Sequence, residues 1–332
     1  MTIQIPEEKL MMTFLEEIPV IQLPTRLTGL EAVAFKTHCQ QLMQRQSLPR
    51  YIILDFRKTT FIDSSGLGAL VNNHKAARQK EVDLILQNVN PTVMAVLSMT
   101  GLDQVLKIQS QSQPLPSHIN PPEEKKLPET HPSVRSPVKR LIDILGAIVG
   151  LAITSVLFIP IVIAIKRDSP GPIFFGQKRC GWLCREFTIW KFRSMCSEAE
   201  ALKHTVKNEA EGAIFKNRND PRVTKVGRFL RRTSLDELPQ FWNVLKGEMS
   251  LVGTRPPTPN EVATYDVPEW QRLDVKPGMT GEWQVNGRSQ VSNFQDVIEL
   301  DLRYQRNWSL MYDLKLIFKT VMILFNKNSG AY

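Results

Sequence analysis

Cysteine and histidine are scarce in this 332-residue chain: four of the former, Cys39, Cys180, Cys184 and Cys196, and five of the latter. The opening stretch MTIQIPEEKL also lacks the basic start and apolar core of a secretory signal. Reduced thiols in a cytoplasmic setting are therefore expected. Cys180, Cys184, Cys196 and His204 do not have a standard zinc-ligand spacing, which favours ordinary thiols over a metal site. No internal repeat is discernible. Long hydrophobic runs are limited to one, residues 144–165, too few for a transporter. The basic residues are dispersed and belong to no nucleic-acid recognition fold, so nucleic acid is not an expected partner.

An apolar and aromatic content of 42% with 23% charged residues marks a folded protein long enough for two domains. Its net charge of +9 is unevenly distributed. Residues 1–110 carry 11 Lys+Arg against 10 Asp+Glu, whereas residues 133–332 carry 29 against 20. Anionic partners are thus expected for the C-terminal part. Seven of the 22 prolines lie in residues 110–137, which read as an extended linker between a module at 1–109 and another at 138–332. In the first module PVIQL, YIILDF and VDLILQNV read as strands, with helical apolar spacing between them. Interleaved strands and helices predict a small α/β sandwich.

The second module opens with ILGAIVGLAITSVLFIPIVIAI, 22 uncharged and mostly apolar residues. At about 1.5 Å per residue they can cross a bilayer. Pro160 predicts a break or kink in this helix. Lys139 and Arg140 before the run, and Lys166 and Arg167 after it, favour both ends on the cytoplasmic side. These facts predict a re-entrant helix at about 141–166, with a simple span as the alternative. A β-hairpin is expected within residues 168–195. The stretch WSLMYDLKLIFKTVMILF has a helical pattern suited equally to a membrane surface and to packing on the domain core.

Residues 231–247, RRTSLDELPQFWNVLKG, admit two readings. Ser234 and Glu237 match a capping box, with Gly247 as the helix stop. Pro239 disturbs a helix begun at Ser234, however, and Arg228, Arg231 and Arg232 exceed what capping needs. A carboxylate pair beside arginines suits a phosphate site instead, with Asp236 and Glu237 holding Mg²⁺ or one of them attacking phosphorus.

KRLIDILGAIVGL, DSPGPIFFGQKR, KFRSM, RVTKVGRFLRRTSLDELPQFWNVLKGEMSLVGTRPP, KPGMTGEWQVNGRS and the ending GAY, in this order, resemble the bacterial sugar transferase family of monotopic polyprenyl-phosphate phosphoglycosyl transferases over about residues 136–332. The resemblance implies a mainly helical, membrane-associated domain with a re-entrant helix broken at Pro160 and a small β-hairpin, lying on the cytoplasmic face of the bacterial inner membrane. It implies that Asp236 attacks a UDP-sugar, that UMP leaves, and that polyprenyl (undecaprenyl) phosphate then takes up the phosphosugar, initiating exopolysaccharide or glycoconjugate synthesis. Glu237 would bind Mg²⁺ with Asp236, and Lys191, Arg193, Arg231, Arg232, Arg255, Lys276 and Arg288 would cradle phosphates and uridine. The chain departs from the family pattern at Ile159, which precedes Pro160, at GTRPP, and at Glu282, which stands where an apolar residue is expected.

YIILDFRKTTFIDSSGLGALV resembles STAS (sulfate transporter and anti-sigma factor antagonist) domains over about residues 8–109. This implies an α/β STAS-like regulatory sandwich in which Ser65 is a phosphorylation site, served by a serine kinase and phosphatase. Locally, Asp63 or a serine merely caps a helix. The competing expectation for the whole chain is a membrane-tethered STAS adaptor carrying a catalytically inactive transferase.

Overall fold

The computed structural model describes residues 10–15, 18–44, 48–109, 130–206, 208–209, 217, 219–286 and 293–325. Two compact units emerge. One holds Met1–Thr130 together with Tyr265–Asp274; the other holds His131–Thr264 and Val275–Tyr332. Residues 110–129 of the expected linker lie outside the described residues, but its end is structured, with a short helix at Pro132–Arg135.

The first unit is built on a five-stranded sheet. Its strands are β1 (Met11–Leu15), β2 (Ile18–Gln22), β4 (Tyr51–Asp55), β6 (Asp83–Gln87) and β7 (Lys107–Gln109), in the order β1-β2-β4-β6-β7. β1 is antiparallel to β2 and every other pairing is parallel. A parallel sheet needs crossovers. These are α1 (Gly29–Met43), α2 (Ser64–Gln79) and α3 (Pro91–Met99), with β3 (Arg26–Leu27) and β5 (Phe61–Ile62) forming a small parallel pair. The three expected strands and two expected helices are all present. Caps fix where two of the helices begin: Asp63 accepts from the Gly66 amide and Asn90 from the Val93 amide, each at 2.9 Å. Of the two candidate caps at residues 63–65, the aspartate is the one used.

In the second unit α4 (Pro132–Arg135) leads into α5 (Pro137–Asp168), a 32-residue helix capped by Ser136. The break expected at Pro160 is not found: α5 runs uninterrupted through it. A proline removes one donor from the ladder, which a helix this long tolerates without dividing into two elements. The most apolar 18 residues of α5 have a mean hydropathy of 2.8 and are only 22% buried. Leu145, Val149, Val156 and Ile159 project outward. The buried side approaches its neighbours closely, with Gly146 facing Leu251 and Gly150 facing the Phe241 ring.

The expected hairpin is β8 (Phe174–Cys180) with β9 (Glu186–Phe192). After it come α6 (Lys225–Arg232), α7 (Gln240–Lys246), β10 (Ser250–Val252), α8 (Pro259–Val262), β11 (Gly278–Thr280), α9 (Glu282–Asn286), α10 (Phe294–Arg306) and α11 (Leu310–Phe325). β10 and β11 pair in parallel. α11 packs on the domain core along one face. Leu316 packs with Val252, Val275 and Tyr304, while Met311, Phe318 and Met322 remain exposed.

The basic flank before the apolar run is not a loose surface patch. Lys139 is buried and donates to Asp313 at 2.6 Å and to the Val252 carbonyl at 2.9 Å. Arg140 donates to the Val244 and Leu245 carbonyls, both at 2.7 Å, closing the C-terminal end of α7.

Candidate active site

The LDEL stretch is neither a helix start nor a loop. Ser234 adopts a left-handed conformation at φ 56°, and its side chain does not cap the turn that follows, so the expected capping box does not form. Residues Leu235–Glu237 make one 3₁₀ turn, and α7 begins afterwards at Gln240. Pro239 thus stands just outside the helix, where its missing N–H costs no hydrogen bond. Gly247 ends α7 at φ 84°, as the sequence predicts.

Leucine anchors aim this turn. Leu235 and Leu238 pack on a cluster of Ile161 and Ile165 from α5, Phe192 from β9 and Leu230 from α6. Both leucines are partly buried there, and their packing stabilises the turn by less than the roughly 1.5–3 kcal/mol of a fully buried leucine. With residues 235 and 238 committed to that face, the carboxylates between them are held to the other. Asp236 is buried, and Glu237 is half-buried and paired with Lys191 Nζ at 2.9 Å. Both of these residues keep about a quarter of their side-chain surface, open enough for exchange of partners.

Arg231, at the end of α6, completes the arrangement. Its Nε donates to Ser194 Oγ at 2.9 Å. Burial pushes its pKa down, and Asp236, Asp220 and Glu237 act against that shift as nearby negative charges. Asp220 is itself clasped by Arg222, with Nε to Oδ1 at 2.9 Å and Nη2 to Oδ2 at 2.7 Å. Sequence reading singled out neither Asp220 nor Arg222, although an arginine two residues after an aspartate in NDPR was an available signal. Ser194, which holds Arg231, lies inside the KFRSM motif.

The remaining candidates are placed differently. Arg193 is buried and clamps the turn after α5, donating to the Pro170 carbonyl at 2.9 Å and the Ser169 carbonyl at 2.6 Å. Arg232 is exposed. Arg255 forks onto Glu261 at 2.7 and 3.1 Å. Lys276 has its pKa lowered, first by burial and then by Arg140, with Asp143 opposing. Arg288 lies outside the described residues. Asp236, Glu237, Lys191 and Arg231 are therefore the group brought together. Glu282, unexpected in sequence, is explained by its partners: Arg303 donates to it at 2.5 Å and the Tyr312 hydroxyl also bonds it, joining α9 to α10 and α11.

A divalent cation fits this site only in part through protein ligands. Among the described residues no three His, Cys, Asp or Glu side chains gather. Two adjacent carboxylates suit Mg²⁺, which commonly keeps waters and takes substrate phosphate oxygens rather than a full protein cage.

Close packing holds the segment just after β9 against α6. A Cβ added at Gly227 would stand 1.9 Å from the Ser194 carbonyl oxygen. Gly227→Ala is therefore expected to cost about 2 kcal/mol net of helix propensity, and to pull Arg231 off Ser194. A lowered melting temperature with reduced turnover is the expected result, and an unchanged melt would refute it.

In the first unit Ser65 is fully buried at the start of α2, and neither its hydroxyl nor that of Ser64 has a hydrogen-bond partner. Burial raises Asp63 to about 6, with backbone bonds from Gly66, Gly29 and Ser65 opposing and Glu31 adding to the rise. Burial and the nearby Asp63 raise Asp274 to about 7, against bonds from Ser64. Both carboxyls hold a proton more tightly folded than unfolded, where they titrate near pH 4. Stability from this pair is thus full in acid and is lost as pH rises through 6 to 7. Melting of the first unit is expected to fall between pH 5 and 8, and Asp274→Asn is expected to flatten that dependence. An equal slope in the variant would exclude this pair as its source.

The bacterial sugar transferase family model matches residues 134–327, and the STAS domain model matches residues 9–113. The galactosyl transferase CpsE of Streptococcus agalactiae is 47% identical over 188 residues, 56% of this chain and 42% of that protein. The UDP-glucose:undecaprenyl-phosphate glucose-1-phosphate transferase of Escherichia coli is 43% identical over 202 residues, 59% of this chain and 41% of that protein. The exopolysaccharide production protein ExoY of Rhizobium meliloti is 41% identical over 55% of this chain and 83% of its own. The chain thus spans less than half the length of the first two. Among solved structures, unphosphorylated SpoIIAA, an anti-sigma factor antagonist, covers 32% of this chain and 90% of its own at 22% identity and a TM-score of 0.29.

Proposed function

We propose, from the premise that this chain belongs to the bacterial sugar transferase family, that it moves a sugar 1-phosphate from a UDP-sugar to polyprenyl phosphate at the cytoplasmic face of the membrane. A carboxylate oxygen of Asp236 attacks the β-phosphorus of the donor. The bond from that phosphorus to the bridging oxygen breaks, and UMP departs with the electron pair. A phosphate oxygen of the polyprenyl phosphate then attacks the same phosphorus, the acyl-phosphate bond breaks, and Asp236 is returned as carboxylate. The product is a polyprenyl diphosphate sugar, the starting unit of an exopolysaccharide or glycoconjugate.

The observation carrying this reading is the seat of the carboxylate pair. Leu235 and Leu238 rest on Ile161 and Ile165, in the last third of an apolar helix whose outer surface is bare. Chemistry fixed at that position is available to a water-borne donor and a lipid-borne acceptor together. Phe229 and Trp242, on the helices either side of the turn, are each 50% exposed, which suits a membrane interface. Lys191 and Arg231 supply positive charge where the transferred phosphoryl group gathers negative charge. When bound by Asp236, Glu237 and the substrate phosphates, Mg²⁺ would neutralise further charge there. The STAS unit fits a regulatory role, with Ser65 as the phosphorylated serine of a kinase and phosphatase pair.

The test is purified protein in a membrane mimetic with Mg²⁺, polyprenyl phosphate and a panel of UDP-sugars. UMP release that depends on one donor is expected. No release from any donor would leave a membrane-tethered STAS adaptor in place of the enzyme.

A further inference from the structure

The closed end of the β8–β9 hairpin holds two of the free cysteines. Cys180 ends β8 and pairs in register with Glu186 of β9, and Cys184 lies in the turn between the strands. The two thiols hydrogen-bond each other. Among the described residues no third His, Cys, Asp or Glu gathers with them, so the pair stands as a dithiol without the ligand set of a structural metal.

The backbone presents the second thiol under strain. The Arg185 N–H donates to the Trp182 carbonyl at 3.1 Å, closing a tight turn whose central residues are Leu183 at φ 52° and Cys184 at φ 61°. Two left-handed residues in a hairpin turn are the usual place for Asn-Gly, because other side chains are disfavoured there. Leu183 is held by burial, at 5% exposure. Cys184 is only half-buried, and its thiol meets Cys180. A reactive group kept where glycine would relieve the strain points to a functional position.

The two sulfurs are unlike. Cys180 is 2% exposed and is fixed from outside the hairpin. Its N–H donates to the Pro257 carbonyl at 2.8 Å, and Arg179 beside it donates to the Pro256 carbonyl at 2.8 Å. Its thiol donates in the pair, and that bond, with burial, raises its pKa. Cys184 accepts, which lowers its pKa against the opposing effects of burial and Glu186. The accessible sulfur therefore ionises first, and the buried one stands in contact with it. An attacking and a resolving thiol are arranged in this way.

We propose that Cys180 and Cys184 are a dithiol–disulfide couple, with Cys184 attacking and Cys180 resolving, oxidised by a small-molecule disulfide. The Cys184 thiolate attacks one sulfur of the oxidant, whose S–S bond breaks and whose other sulfur leaves as thiolate. A mixed disulfide remains on Cys184. Cys180 then gives up its proton to solvent, and its sulfur attacks the Cys184 sulfur, expelling the second thiolate. The protein loses two protons and two electrons and gains one S–S bond, while the oxidant becomes two thiols. Excess small-molecule thiol runs the same steps backward. In the reducing setting expected for these cysteines, such a couple is a sensor, because its disulfide closes only transiently.

Tryptic cleavage after Arg179 and Arg185 releases the peptide Cys180–Arg185, which holds both cysteines and no other. Full-length protein in a membrane mimetic is incubated with oxidised glutathione, alkylated under denaturing conditions and digested. The peptide is expected to be unalkylated and lighter by two hydrogens in most molecules, with Cys39 and Cys196 alkylated. Reduced glutathione in about tenfold excess should return both thiols. Cys180→Ser should stop at the mixed disulfide, with glutathione on Cys184. Cys184→Ser should take up glutathione on Cys180 at least about tenfold more slowly. A wild-type peptide that stays fully alkylated overturns the couple, and that measurement needs no substitution. Equal uptake in the two variants, or faster uptake in Cys184→Ser, overturns the assignment of roles. Each outcome is read on the sulfurs and stands apart from the transfer reading.

Discussion

Asp236→Asn is expected to fold normally and to lose turnover by about 10³-fold or more, because an amide cannot serve as the attacking oxygen. The substitution keeps the shape of a side chain buried beside two leucine anchors, so packing against Ile161 and Ile165 is preserved. Arg231 loses a nearby negative charge but keeps Ser194, Asp220 and Glu237 around it. Two measurements follow the consequence: UMP release with each active donor, and intact mass after donor alone. Wild-type protein should gain the mass of a phosphosugar, and the variant should gain none. Glu237→Gln is expected to keep the adduct and slow turnover by about 10²-fold, since it releases Lys191 from its ion pair and removes the proposed cation ligand while leaving Asp236, the proposed nucleophile, in place. Release of UMP by Asp236→Asn within tenfold of wild type would sink the nucleophile assignment.

Lys139→Met is expected to be the most destabilising single change in the second unit. Lys139 and Asp313 are 5% and 3% exposed and meet at 2.6 Å. The Asp313 carboxylate also accepts from Tyr304 at 2.8 Å and Trp308 at 3.1 Å, so the pair joins α5, α10 and α11 to the end of β10. Removing one partner leaves an uncompensated buried charge, at a cost of about 3–5 kcal/mol. For a unit of this size the melting temperature should fall by roughly 10 °C. The double variant Lys139→Met with Asp313→Leu should recover much of the loss, because no charge is then stranded. A single variant that melts with wild type would show that this network carries little of the unit's stability.

The sequence made the local elements and the chemistry legible, and was weakest where distant residues decide the outcome. Alternating and helical apolar patterns identified β2, β4, β6, α1 and α2, since their periodicity is set by the core they face. The short edge elements β1 and β7 carry too little pattern to be found this way. Asp236 and Glu237 stood out because paired carboxylates beside arginines have few structural uses. Their true local geometry did not: the capping-box letters are present, but Ser234 in a left-handed conformation and Pro239 after the turn divide the segment into a 3₁₀ turn and a helix. Lys139 read only as part of the basic flank of the apolar run, because its partner Asp313 lies 174 residues later. Arg193 and Arg255 read as members of a phosphate and uridine cradle, because Ser169, Pro170 and Glu261 become their neighbours only on folding. YDVPEWQRLD gives no local sign that it belongs with a sheet more than 150 residues before it.

That segment also imposes an order of events during synthesis. The STAS unit cannot complete its α1–α2 face when Thr130 leaves the ribosome, because 134 residues of the other unit, His131–Thr264, must be made first. At about 5–20 residues per second the face stays uncovered for on the order of ten seconds, with the groove at Gly68 waiting for Trp270. Within that interval the apolar helix has already emerged and is available to the bilayer. Closure of the first unit therefore follows, rather than precedes, synthesis of most of the second.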